Sequence, residues 1–299
     1  ISSSGDQAMK VSGREVADAI SRNLKKQVEK LKVKPFLTII LAGDNPASRI
    51  YVNNKIKREE QIGIQTQLLE FSRNQFDDCL TAIQKLNQDK KIHGIIIQYP
   101  TYEDWDFDNL ISKIDPRKDV DGFHSDSPYS GATALAVWEM LTAFALLEGF
   151  EKTEAFLTGK KIVILGRGKT AGGPTRKLLE NRGFEVLIIT RDTPNPTPKI
   201  KNADIIISAT GKKNIINSAN VKKGAYVVGV GVGREIIDGK PKIYGDINEE
   251  EVSKIAKLYC PTIGGIGPLT IVSLLENVIS GACLFQNKKL ESAKRSEKI

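Results

Sequence analysis

Short apolar runs recur along this chain of 299 residues, the earlier ones alternating with stretches of helical periodicity and the last two followed by glycine turns. The runs lie at 35–41, 66–71, 94–98, 162–165, 185–190, 203–208 and 225–228. They are too short for buried helices and lack the strict apolar–polar alternation of strands with one wet face. They read as strands, the run at 35–41 as a buried one. Residues 13–31, with Val16, Ala19, Ile20, Leu24 and Val28 at helical spacing, and residues 76–87, 132–144 and 271–284 read as helices. Strand–helix alternation of this kind predicts α/β architecture with parallel sheets, in which ligands bind beyond the carboxyl ends of the strands.

The chain is long enough for two domains, each with its own core. A hydrophobic share of 40% with 27% charged residues is that of an ordinary globular protein. No apolar run is expected to span a membrane, and the opening Ile1-Ser2-Ser3-Ser4-Gly5-Asp6-Gln7-Ala8 reads as an expression scar before a native start at Met9. Cys79, Cys260 and Cys283 are odd in number and far apart, which predicts reduced thiols in a cytoplasm. With His93 and His124 as the two histidines, neither a structural metal site nor a Ser-His-Asp triad has much to draw on. The net charge of +8 is spread along the chain and aromatics are only 6%, so an enzyme with anionic substrates is expected and a nucleic-acid binder is not.

The strand at 35–41 runs through Gly43-Asp44-Asn45-Pro46-Ala47 into a helix that stops near Gly63, with Asp44 or Asn45 as its cap. On that helix Ser48, Tyr51, Val52, Lys55 and Glu59 share a face, while Lys57 and Arg58 point to solvent. A lysine beside a tyrosine on a partly apolar face has its pKa lowered by desolvation, which frees the amine for proton work. Gln98, at the end of the strand at 94–98, can converge on the same cleft. Farther on, Asp119 and Asp121 flank Val120; Asp119 is expected to lie in a solvated acidic turn.

The strand that ends at Leu165 leads into Gly166-x-Gly168-x-x-Ala171, and a helix follows from Pro174. Strand before and helix after are the context of a dinucleotide-binding turn, where glycines permit the bend and a helix N-terminus meets the phosphates. The next strand ends at Arg191, where an acid would suit NAD and an arginine suits the 2′-phosphate of NADP; Asp192 is adjacent. Gly211, Gly229, Gly231 and Gly233 are expected to let backbone approach a nucleotide. The stretch 260–270 reads as a glycine-rich loop before the helix at 271–284, and a disordered charged tail is expected from Lys288.

These motifs together resemble the bifunctional methylenetetrahydrofolate dehydrogenase/methenyltetrahydrofolate cyclohydrolase family. The resemblance runs from Met9 to about Leu284. It is carried by Gly43-Asp44-Asn45-Pro46-Ala47-Ser48 with Tyr51-Val52-x-x-Lys55-x-Lys57, by Gly94-Ile95-Ile96-Ile97-Gln98 and by Lys118-Asp119-Val120-Asp121-Gly122-Phe123-His124. Gly166-Arg167 with Gly172-x-Pro174, and Gly264-Gly265-Ile266-Gly267-Pro268-Leu269-Thr270, complete the set. The resemblance implies Lys55 as the central residue of the cyclohydrolase step, Tyr51 stacking on the folate, Gln98 holding Lys55 and substrate, and Asp121 bonding the pterin. It implies a loop of Ile263, Gly264, Gly265, Ile266 and Gly267 over the substrate, and a cofactor site of Gly166, Arg167, Gly168, Arg191 and Val232.

The implied chemistry is NADP-dependent oxidation of 5,10-methylenetetrahydrofolate, with NAD as the alternative cofactor, and hydrolysis of the methenyl product to 10-formyltetrahydrofolate. The substrate is a folate that can carry polyglutamate, and the enzyme a cytoplasmic homodimer without nucleic-acid or membrane partners. A folate-binding domain at 9–146, completed by 270–299, and a Rossmann-like NADP-binding domain at 147–269 are expected. The chain departs from the family pattern at Tyr99-Pro100-Thr101-Tyr102, Gly131-Ala132-Thr133-Ala134, Gly168 and Gly229-Val230-Gly231. A dehydrogenase without hydrolytic activity, or a decayed nucleotide-binding sensor, is the rival reading.

Overall fold

The structure, a computed structural model, describes the backbone of residues 8–296 and the side chains of residues 8–285. Of the expected scar at 1–8, residues 1–7 lie outside the described residues, as do residues 297–299. The first elements are β1 (Met9–Lys10), α1 (Gly13–Glu29), β2 (Phe36–Leu41), α2 (Pro46–Ile62), β3 (Gln65–Glu70), α3 (Phe76–Gln88), β4 (Gly94–Ile97) and α4 (Phe107–Ser112). There follow α5 (Ala132–Leu147), α6 (Thr153–Leu157), β5 (Ile162–Leu165), α7 (Gly172–Asn181), β6 (Val186–Ile189), α8 (Pro196–Lys201) and β7 (Ile205–Ser208). The chain closes with β8 (Tyr226–Gly229), β9 (Val232–Ile237), β10 (Lys240–Gly245), α9 (Glu249–Val252), β11 (Leu258–Cys260) and α10 (Ile266–Ser296).

By packing, the chain divides into two compact units, Ala19–Ala132 with Ile271–Ile299 and Ile1–Asp18 with Thr133–Thr270. The boundary expected after Leu146 thus sits one helix earlier, ahead of α5. The opening residues fall with the 133–270 unit because β1 pairs with β11, Met9 opposite Leu258.

In the unit of residues 19–132 and 271–299, β3, β2 and β4 form a parallel sheet in that order, with Leu37 opposite Gly94 and Ile40 opposite Ile97. Leu37, Ile39, Ile40 and Ile95 to Ile97 are fully buried, as continuous apolar strands between helical layers should be. Edge strand β3, Gln-Thr-Gln-Leu-Leu-Glu, is mostly polar and is half-exposed. Strands β2 and β4 end at the same edge of the sheet. Leu41 there leads to α2 and Ile97 to Gln98.

In the other unit, β1-β11-β8-β7-β5-β6 make a six-stranded sheet in which every pairing is parallel. Val163, Leu165, Ile206, Val227 and Tyr259 belong to its buried core. The β9–β10 pair is an antiparallel hairpin turned at Asp238-Gly239, both at positive φ (51° and 73°), an element that the sequence reading did not contain. The glycines of 229–233 meet other parts of the protein. A Cβ at Gly231 would lie 2.4 Å from Asp246 Oδ2, and one at Gly233 2.3 Å from the Tyr244 ring. The close approach expected of them is therefore to the protein's own groups.

Helix α10 corrects three expectations. It begins at Ile266 rather than 271, so Ile266 and Gly267 belong to the helix and not to a loop. Its backbone continues through Ser296 where a disordered tail was expected from Lys288, because Lys288, Lys289, Leu290, Glu291 and Ala293 are strong helix formers that extend an existing helix at little cost. Over Ile266–Phe285 it is also long and apolar enough to cross a membrane, by length and composition alone. However, 61% of that stretch is buried inside the fold, which accounts for its apolarity as core packing.

Candidate active site

Asn45 caps α2, its side chain accepting from Ala47 N at 3.0 Å, and Pro46 occupies the first turn. Gly63, at φ 95°, ends the helix and donates its N–H to the carbonyls of Glu59 and Glu60. The buried face of α2 carries Ser48, Val52, Lys55, Glu59 and Ile62, so most of what it buries is polar. A helix gains nothing in stability from burying such groups, and a face of this kind marks function.

Lys55 is 4% exposed. Its Nζ donates to Gln98 Oε1 at 3.2 Å and lies 4.9 Å from the centre of the Tyr51 ring. Gln98 is oriented from its other end. Its Nε2 donates to Tyr99 O at 2.8 Å, which turns Oε1 towards the lysine, and its backbone N–H continues the sheet by donating to Ile40 O. Burial holds the Lys55 ammonium below the usual lysine range, partly offset by the negative charges of Asp121 and Glu59. Lys57 is exposed as expected, whereas Arg58 is half-buried and reaches Ser21 Oγ at 3.4 Å.

Asp121 stands at the end of a loop held from several sides. Lys118 is buried, and its Nζ donates to Leu86 O and Asp89 O at 2.7 Å each. Asn277 Nδ2 donates to Val120 O at 2.8 Å and to Ser130 O at 3.0 Å. Gly122, at φ 71°, turns the chain where a Cβ would lie 2.8 Å from Tyr129 O. Burial raises the Asp121 carboxyl and the nearby Lys55 lowers it, the first effect being the larger. Asp119 is not a solvated turn residue: it is fully buried and accepts from His124 N at 2.7 Å, and burial pushes it up to about 6. The reason is tertiary, since Asp119 forms a parallel bridge to Ile95 and so extends the sheet. Tyr99 and Tyr102, which stand at the departing segment, join an aromatic cluster, Tyr99 edge-on to Phe107 at 5.0 Å and Tyr102 to Trp105 at 5.4 Å.

In the six-stranded unit, a cleft of about 640 Å³ lies beyond the carboxyl ends of β5, β6 and β7. Gly166, Arg167, Gly168 and Arg191 line it, together with Asp192, Thr210 and Lys212. Gly166, at φ 96°, makes the turn from β5, and a Cβ there would lie 2.4 Å from Ala209 O. A Cβ at Gly172 would lie 2.2 Å from Gly166 O, so the helix start can approach only without one. At Gly168 a Cβ would meet nothing within 4 Å, which leaves the floor open. Arg167 and Arg191 are exposed and make no ion pair among the described residues. The donors fit a dinucleotide with a phosphorylated ribose. Val232 does not line the cleft; its carbonyl lies 3.3 Å from where a Cβ of Gly211 would be.

Sequence reasoning missed Asp246. It is fully buried, and its Oδ2 accepts from Ser208 Oγ and Thr210 N at 2.7 Å each, fixing the turn after β7 at the cleft. The Ala209-Thr210-Gly211 turn after an apolar strand was the available signal. Of the loop residues, Ile263 and Gly264 are exposed, and Gly265 and Ile266 buried.

These features define an α/β enzyme that uses a dinucleotide and carries a buried lysine held by a strand-end glutamine. Residues 11–121 match the catalytic domain, and residues 136–286 the NAD(P)-binding domain, of the tetrahydrofolate dehydrogenase/cyclohydrolase family, and the chain belongs to that family. It is 37% identical over 279 residues to the bifunctional protein FolD of Halalkalibacterium halodurans, which spans 92% of this chain and 99% of that protein. Its fold is similar to the crystal structure of the Campylobacter jejuni bifunctional FolD methylenetetrahydrofolate dehydrogenase/cyclohydrolase, with TM-score 0.82, 34% identity, and coverage of 91% and 97% of the two chains. It is also similar to the Trypanosoma brucei enzyme complexed with NADP cofactor and inhibitor, with TM-score 0.83, 29% identity, and coverage of 94% and 98%. The chain is an enzyme with the family's two activities and an NAD(P)-binding domain.

Proposed function

We propose that Lys55 is the proton-handling group of the cyclohydrolase step in an enzyme that oxidises 5,10-methylenetetrahydrofolate with NADP and hydrolyses the methenyl product to 10-formyltetrahydrofolate. The observation that carries this reading is the buried Lys55 Nζ on Gln98 Oε1 at 3.2 Å. A nicotinamide dinucleotide held by Gly166, Arg167 and Arg191 would supply the hydride acceptor for the methylene carbon of the substrate, whose oxidation gives the methenyl cation. Water then attacks that carbon and must lose a proton. An amine whose ammonium form is disfavoured by burial can take it, and the fixed glutamine keeps the amine in place. Opening of the bridge leaves the formyl group on one nitrogen. Tyr51 offers its ring to the pterin, and Asp121 accepts hydrogen bonds from it. Gly166, Arg167, Gly168 and Arg191, which line the cleft, form the cofactor site in this reading, Arg167 and Arg191 facing the 2′-phosphate. The unpaired cysteines support a cytoplasmic setting; homodimerisation and polyglutamylated substrate are carried from the family resemblance.

The test is Lys55→Met, which keeps the stem and removes the amine. Hydrolysis of supplied methenyltetrahydrofolate should fall by roughly 10²–10⁴-fold, the range of general acid–base groups. Oxidation of methylenetetrahydrofolate should fall less, and methenyltetrahydrofolate should accumulate. Lys57→Met, on the exposed side of α2, should change neither step. Hydrolysis by Lys55→Met at the parent rate would remove the lysine from the mechanism.

A further inference from the structure

Glu59 has no part in the steps above, yet it is wholly buried on the same face of α2 as Lys55. It sits four residues farther along, the spacing at which helix side chains are neighbours. Its Oε2 accepts from Thr66 Oγ1 on β3. Its Oε1 is buried with no hydrogen-bond partner among the described residues. A glutamine could keep the Thr66 bond without a charge to desolvate, so a carboxyl here is the costlier choice for folding. What only the carboxyl supplies is a negative charge beside the amine, in an interior where little water screens it.

We propose that Glu59 is a positioning residue for hydrolysis that acts through Lys55: its carboxylate, one turn away on the buried face, holds the lysine as ammonium and so sets the pH at which the amine is free. The inference rests on Lys55 being the proton-handling group. The charged groups that bear on Glu59 are Lys55 and Glu60, both on α2, while β3 contributes the neutral Thr66. Those that bear on Lys55 are Asp121, from the loop before α5, and Glu59 itself. Burial pushes the Glu59 carboxyl up to about 7, against the pull of Thr66 and Lys55. Glu59 therefore changes charge near neutrality, where a small pH change alters what Lys55 feels. The two groups titrate as a coupled pair.

The experiment compares pH profiles of kcat/KM for hydrolysis of supplied methenyltetrahydrofolate in the parent, Glu59→Gln, Thr66→Val and Lys57→Met. In Glu59→Gln the charge is gone, and the limb governed by Lys55 should move to lower pH by about one unit. Thr66→Val removes the hydrogen bond that favours the carboxylate, so it should move the same limb in the same direction by less. Lys57→Met should leave the limb in place. Oxidation of methylenetetrahydrofolate with NADP, measured alongside, reports whether each variant is folded. A merely structural Glu59 would lower the amplitude of the profile and leave its position unchanged, and that result overturns the proposal. Lys55→Met separates the two levels of the argument. Parent-like hydrolysis in Lys55→Met defeats the role of the lysine, whereas loss in Lys55→Met with a stationary limb in Glu59→Gln defeats the role of Glu59 alone.

Discussion

The turn at Gly166 is open to a sharp test, because one methyl group should be enough to spoil it. The residue has φ 96°, a region that an L side chain enters at about 1–2 kcal/mol. A Cβ would also lie 2.4 Å from Ala209 O, where contacts under 3.0 Å are essentially not seen, so strand β5 and the turn after β7 must part by at least the difference, 0.6 Å. Overpacking of this kind adds roughly 1–3 kcal/mol. Gly166→Ala should therefore lose roughly 2–5 kcal/mol in all, with Tm lowered by on the order of 2–4 °C for each kcal/mol. Parting these two segments also widens the cleft at the turn that Gly166 and Thr210 line. Calorimetric titration with NADP should show at least tenfold weaker binding. Hydrolysis of supplied methenyltetrahydrofolate should persist, since Lys55 and Gln98 belong to the other compact unit. If Gly166→Ala binds NADP within twofold of the parent and melts at the parent's temperature, the steric argument is refuted and the cofactor lies elsewhere.

Arg191→Ala should raise the Michaelis constant for NADP by about tenfold or more, the equivalent of losing a charge-assisted contact of roughly 1.5–3 kcal/mol, and leave NAD nearly unaffected; equal losses with both cofactors would exclude a 2′-phosphate contact. Folded-state values of about 7 at Glu59 and about 6 at Asp119 are both raised, so the stability they favour is complete below their ordinary carboxyl range and is lost as pH rises to about 7. Unfolding free energies from urea melts between pH 5 and 8 should accordingly fall in the parent and fall less in Glu59→Gln, the difference being on the order of 2–3 kcal/mol; parallel lines would show that Glu59 ionises without penalty. Lys118→Met should destabilise the protein by roughly 2–4 kcal/mol, because Leu86 O and Asp89 O both lose their donor; an unchanged urea midpoint would mean that water replaces the ammonium.

Much of the architecture and part of the site follow from local sequence. Continuous apolar runs such as Phe36–Leu41 can satisfy their backbone only in a sheet covered on both sides, and the periods between them are helical. The cap at Asn45, the stop at Gly63 and the glycine turn at Gly166 are matters of a few neighbouring residues, and so is the placing of Lys55 beside Tyr51 on one helix face. The partners of those residues were decided by tertiary structure. Gln98 meets Lys55 across 43 residues of sequence, and Asp246 meets Ser208 across 38. Asp119 is buried because it extends the sheet beside Ile95, although its own neighbours, Arg117, Lys118 and Asp121, read as a solvated turn. The apolar stretch of α10 could be judged by composition as a membrane span, and only its burial among other elements shows it as core. Helix and turn preferences act between neighbouring residues and leave a periodic trace. Burial, and with it the protonation of Lys55 and Glu59, depends on which distant segments pack alongside, and such pairings leave no period to read in the sequence.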